Sequence, residues 1–138
     1  MKKLFFLTAF LLSFNASASL NRIVGCFSSD SKNVNVKLVN IEDDGALLGY
    51  VRYKNSQKPI YLVFSKSSEE EVGEGRPREK TITWLEIING KVNGQYEVMS
   101  QGARYYSFIY RGNNGRKPIV LNENFMAYNS SHSDCIWE

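Results

Sequence analysis

His132, Cys135 and a scatter of carboxylates are the residues of this chain best suited to catalysis, and their spacing argues against it. His132 is the single histidine, whereas tetrahedral zinc takes about three or four nitrogen or sulfur ligands, so no metal is expected. Cys135 and His132 are close in sequence, but a Ser/Asn-rich loop does not impose nucleophile–base geometry, and a disulfide would consume the thiol. A serine triad would need His132 as its base, and there is no Gly-x-Ser-x-Gly elbow. Asp43, Asp44 and Glu69 to Glu71 could be drawn as a carboxylate pair for glycoside chemistry, but all sit in turn or loop contexts where acids stay solvated. No phosphate loop or dinucleotide fingerprint appears, so no cofactor is expected either. The chain reads as non-enzymatic.

One stretch stands out as a contact surface instead. Ser100-Gln101-Gly102-Ala103-Arg104-Tyr105-Tyr106 places a glycine between small polar residues and a guanidinium with two phenols. Glycine between strand-like runs marks a turn or a close backbone approach. Arginine and tyrosine are favoured at the centres of protein interfaces. Ser100, Gln101, Gly102, Arg104, Tyr105 and Tyr106 are therefore the candidate partner-binding residues. Tyr106, Phe108 and Tyr110 are expected on one face of the following strand and Tyr105, Ser107 and Ile109 on the other, with one tyrosine of the adjacent pair pointing inward.

The elements that must hold this stretch are short strands. Val34, Val36 and Leu38 alternate with Asn35 and Lys37, the period of a half-buried strand. Asp43-Asp44-Gly45 turns the chain, and runs at 46–53 and 58–65 follow as two strands. Residues 66–79, rich in Ser, Glu, Gly and Arg, read as a solvated loop. Strand signals resume at 81–88, and Asn89-Gly90 is a strong hairpin signal because both residues tolerate positive φ. Runs at 91–99, 103–111 and 117–128 complete the pattern, and no stretch keeps a helical period. The fold expected is all-β: one small antiparallel barrel or strongly curved meander of roughly eight strands.

The ends supply an address and a staple. Lys2-Lys3, the apolar run 4–14 and Ala16-Ser17-Ala18 form a signal peptide, residues 1–18, whose apolar core is too short to span a bilayer. Of the 138 residues, 120 remain as one β domain over 19–138. Loss of Lys2 and Lys3 takes 17 basic residues to 15 against 14 acidic, a net +1 that offers no nucleic-acid groove. Export to the periplasm is expected, and there the two cysteines, Cys26 and Cys135, read as a disulfide joining the ends of the domain. Ile23-Val24-Gly25-Cys26 also resembles a lipoprotein box, although Asn15 to Arg22 separate it from the apolar run and lipidation would strand Cys135.

Ser100-Gln101-Gly102-Ala103-Arg104-Tyr105 resembles the Ser-Gly-x-x-Tyr loop of bacterial periplasmic inhibitors of c-type lysozyme. The likeness extends to Cys26 followed by Val36-Lys37-Leu38, and to Ile119-Val120-Leu121-Asn122 before a late cysteine. That resemblance implies an exported antiparallel β-barrel whose loop enters a lysozyme cleft and engages its catalytic carboxylates. Gly102 and Tyr105 are the positions that match, with Arg104 beside them. Gln101 stands where the family has its serine, Ser100 is displaced by one, and the chain between Cys26 and Gly102 is longer by enough for a hairpin. The function expected is an inhibitor of a cell-wall-degrading enzyme or an immunity protein against an exported toxin, acting on a protein partner. An envelope-associated structural module with no enzyme target is the alternative.

Overall fold

Inward-facing apolar side chains on every strand force the chain to close on itself. A computed structural model describes residues 20–29 and 33–137; the expected signal peptide, 1–18, lies outside them. Eight strands run in sequence order: β1 (Asn21–Ser29), β2 (Val34–Asp43), β3 (Ala46–Tyr53), β4 (Ile60–Glu70), β5 (Glu79–Ile88), β6 (Lys91–Gln101), β7 (Arg104–Gly112) and β8 (Ile119–Glu123). All neighbours are antiparallel, and β8 pairs back onto β1 to close the barrel. A barrel of about eight strands is just wide enough to be filled by its own side chains. Here Phe27, Leu38, Trp84, Tyr96, Phe108 and Leu121 fill it, each fully buried. No helix among the described residues is long and apolar enough to cross a membrane.

The turns follow their residue types. Asp44-Gly45 and Asn89-Gly90 adopt positive φ at both positions, 45° and 84°, then 51° and 74°, as a tight hairpin with primed geometry requires. The expected 66–79 loop is shorter than its composition suggested. β4 continues to Glu70, and Lys66–Glu70 pair with Glu79–Thr83. The β4 side of this part of the hairpin, Lys66–Glu70, is exposed on both faces, so no alternation marks it. The run expected over 117–128 is also broken: β8 stops at Glu123, and Asn124 caps a short 3-10 helix, Phe125–Ala127, by accepting from the Met126 amide.

The two barrel ends differ. At the end formed by the last residues of β3, β5 and β7, the buried Glu86 carboxylate accepts from Tyr96 (2.9 Å), from Tyr110 (2.8 Å) and from Asn93. Tyr53 shares a hydrogen bond with Tyr96 at 2.9 Å. Burial pushes the Tyr53, Tyr96 and Tyr110 hydroxyls above the ordinary phenol range, so they stay protonated; Tyr96 and Tyr110 donate to Glu86, and Tyr53 bonds to Tyr96. This network plugs that end.

Outside the barrel lies a second core. Val24, Cys26 and Val39 on the outer faces of β1 and β2 pack against Ala127 and Cys135 of the C-terminal segment. The Cys26–Cys135 disulfide, with Cα atoms 5.8 Å apart, is buried there. It ties β1 to this strap rather than to a last strand, because Cys135 lies beyond β8 and only bridges Tyr128. Lys37, also outward, is covered by the strap and donates to Asp134 Oδ1 at 2.7 Å. The Lys37 ammonium beside Asp134 holds that carboxyl below its ordinary pKa, aided by the Cys135 amide and opposed by partial burial.

Two stability predictions follow from the strap. The disulfide closes a 109-residue separation. In the chain-entropy model that is worth about 4–5 kcal/mol. Replacing both cysteines by alanine is expected to lower unfolding stability by about 2–5 kcal/mol in a denaturant titration. Asp134→Ala leaves the Lys37 ammonium covered and unpaired, but Asp134 is 46% exposed. Solvent screening therefore holds the expected loss to about 1–2 kcal/mol at neutral pH. Because the folded carboxyl titrates below its unfolded value, this contribution is complete above about pH 4 and fades as pH falls through the lower folded pKa. Stability curves of wild type and variant should converge in acid; a gap that stays constant to pH 2 would refute the pairing.

Candidate functional site

The β6–β7 hairpin carries all six sequence-predicted contact residues, and it splits them into four groups. Gln101 pairs with Arg104, so Gly102-Ala103 is a two-residue turn. Gly102 has φ 59°, and a Cβ added to it would lie 3.4 Å from the Pro77 ring. Positive φ at the first central residue is what a tight hairpin of this kind asks of glycine. Ser100 and Gln101 are strand residues, not loop. The Ser100 hydroxyl donates to the Lys80 carbonyl at 3.5 Å and the Gln101 amide to the Pro77 carbonyl at 3.0 Å. Both tether the hairpin to β5 and the loop before it.

Tyr105 points inward. Ser100 pairs with Tyr105 while Met99 pairs with Ser107, which leaves Tyr106 as the extra residue of a β-bulge. The bulge overturns the expected face assignment: Tyr105, Phe108 and Tyr110 share the interior, and Tyr106 is left outside. The Tyr105 ring meets Phe27 edge-on at 5.2 Å between centroids. Gly25 makes the room, since a Cβ there would come within 2.9 Å of the Tyr105 ring and 2.6 Å of Phe27. Burial, then the nearby Glu123 charge, raise the Tyr105 hydroxyl to about 12, against a lowering hydrogen bond from Asn40. The phenol therefore stays neutral, and it is a wall rather than a contact group.

Arg104 and Tyr106 are the exposed pair, and they recruit a third residue. The Arg104 guanidinium carbon lies 5.6 Å from the Tyr106 ring centroid and 5.0 Å from that of Phe125. Tyr106 and Phe125 are 53% and 52% exposed, and Met126 beside them is 90% exposed. Cation–π contacts at such exposed sites contribute about 0.5–1 kcal/mol each, enough to favour one guanidinium position. Glu123 positions the unit from beneath: one carboxylate oxygen accepts from the Tyr105 amide (3.2 Å) and the other from the Tyr128 hydroxyl (2.7 Å). The Tyr128 hydroxyl itself accepts from the Cys26 amide at 3.2 Å. Sequence reasoning missed Phe125 and Glu123. Phe125 sits some twenty residues on, after an asparagine cap, and nothing local links it to Arg104.

The other reactive groups are otherwise engaged. His132 stacks on Tyr128 at 5.1 Å, and Cys135 is in the disulfide. Among the described residues no three His, Cys, Asp or Glu side chains gather as a metal site. No protein-family model matches the chain, and a search of curated proteins and of solved structures finds no match either.

Gly102 offers a direct check on the hairpin. Gly102→Val puts a β-branched residue at φ 59° against Pro77. It is expected to cost about 1–2 kcal/mol in thermal or denaturant unfolding. An unchanged midpoint would show that the turn is not formed as described.

Proposed function

We propose that this protein is an exported, non-enzymatic binding protein that inhibits or neutralises a cell-wall-degrading enzyme, as a lysozyme-inhibitor-like protein or as a toxin immunity protein. The observation that carries the reading is the exposed Arg104 guanidinium held between Tyr106 and Phe125 on a tight hairpin. A cation pre-set by two aromatic faces loses little rotamer freedom on binding, and that is where interface energy concentrates. Arg104 would pair with the acidic residues of a hydrolase cleft, and Tyr106 and Phe125 would cover the cleft's walls. Tyr105, Ser100 and Gln101 would act behind the surface by fixing the hairpin. The Ser-Gly-x-x-Tyr likeness and the expected signal peptide point the same way. In this reading the protein works in the periplasm.

A second reading, an envelope-associated interaction module with no enzyme target, draws on the outer face of β3 and β4. Leu48, Tyr61 and Val63 are exposed there, and Tyr61 meets Tyr50 across the strands. Inhibition and binding assays against a panel of muramidases and amidases separate the two. The inhibitor reading expects at least one enzyme to be inhibited, with Arg104→Ala weakening binding about tenfold or more and Tyr61→Ala leaving it intact. Undiminished binding by Arg104→Ala removes the proposed surface, and no inhibition across the panel favours the module.

A further inference from the structure

The open end of the barrel contains a cavity of about 370 Å³ behind the β6–β7 turn. Its apolar wall comes from Ile23, Leu47, Ile82, Val98 and Ala103. It does not run through the molecule, because the interior beyond it is filled by the core around Leu38, Trp84 and Tyr96. A long acyl chain therefore has nowhere to go, whereas a compact ring system fits the size range of small-molecule sites.

The polar groups of the cavity are sorted by side. On β2, Asn40 and Glu42 face it. Asn40 is only 8% exposed, and its Oδ1 has no hydrogen-bond partner among the described residues. Its amide nitrogen is engaged by the Tyr105 hydroxyl. A buried acceptor left unpaired is uncommon and costly, and a ligand or water that donates to it removes the cost. Lys80 from β5 and Arg104 from β7 line the cavity too, and both strands are three places from β2 around the barrel. No ion pair among the described residues involves Glu42, Lys80 or Arg104. One wall thus offers acceptors and the opposite one the Lys80 ammonium, with an apolar lining between them, while the Arg104 guanidinium lies outside the mouth between Tyr106 and Phe125.

We propose that this cavity binds a small aromatic or alicyclic monoanion that carries a hydroxyl or amino group at its far end. The anionic group meets the Lys80 ammonium, the ring body covers Ile82 and Val98, and the distal O–H or N–H donates to Asn40 Oδ1. The site is separate from the protein-binding surface proposed above, and the variants that test it avoid Arg104.

The probe is 6-hydroxy-2-naphthoate, titrated by its own fluorescence into the purified, disulfide-bonded protein. One-to-one saturable binding is expected, with 2-naphthoate and 2-naphthol each about tenfold weaker for lack of one polar end. Asn40→Leu should abolish the advantage of the hydroxyl, and Lys80→Gln should reduce that of the carboxylate. Leu47→Trp, which fills the mouth from β3, should remove binding while circular dichroism stays unchanged. Amide chemical-shift changes in the wild-type protein should cluster at Asn40, Lys80 and Ala103, a readout that does not depend on any variant folding. The proposal is overturned if the probe does not saturate by millimolar concentration, if the shifts fall elsewhere, or if folded Leu47→Trp binds as well as wild type.

Discussion

Closure of the barrel between β1 and β8 is the constraint on which the rest depends. Only Phe27–Glu123 and Ser28–Asn122 pair across that seam, far fewer than across β5–β6 or β1–β2. β8 is short because Pro118 precedes it and the Asn124 cap follows it, so backbone pairing alone holds the seam over a few residues. The chain reinforces it with other bonds. The Asn124 amide donates to the Cys26 carbonyl at 2.7 Å, the Cys26 amide donates to Tyr128, and the disulfide fixes the strap to the same residue of β1. Glu123, inward at the seam, then links the strap to β7 through the Tyr105 amide. The contact hairpin is thereby tied to the barrel's closing bond.

The short β8 has a second consequence. Below Phe108 on β7 and before Phe27 on β1, no strand fills the space between the two. Tyr105, Phe125 and Glu123 border that gap, and Phe125 comes to rest under Arg104. At the other end Glu86 and its tyrosines leave no such opening. The asymmetry places both the exposed cationic–aromatic unit and the cavity lined by Asn40 and Lys80 at one end of the molecule.

Much of the architecture was legible because it depends on local rules. Val34-Asn35-Val36-Lys37-Leu38 satisfies its pattern as a strand with an apolar inner face, although the strap also covers the outer face at Lys37 and Val39. Asp44-Gly45 and Asn89-Gly90 carry their turn geometry in their own φ preferences. Where the reading failed, the missing information was non-local. Lys66–Glu70 has no dry face and is a strand only because Glu79–Thr83 offers hydrogen bonds beside it. Tyr105 and Tyr106 are adjacent and chemically alike, and nothing in either says which is inside. A bulge set by the register of β6 against β7 decides it.

By itself the sequence determined an all-β, disulfide-paired domain and the hairpin on which Arg104 sits, since strand period, turn residues and two lone cysteines act over short spans or by elimination. Only the tertiary structure decided that the barrel closes through a narrow seam, that Cys135 clasps a strap rather than a strand, and that Phe125 completes the surface around Arg104. It also decided that Asn40, an ordinary polar residue in a strand, faces a cavity with its oxygen unpaired. These are matters of which distant segments meet, and burial and register across eight strands settle them where residue types cannot.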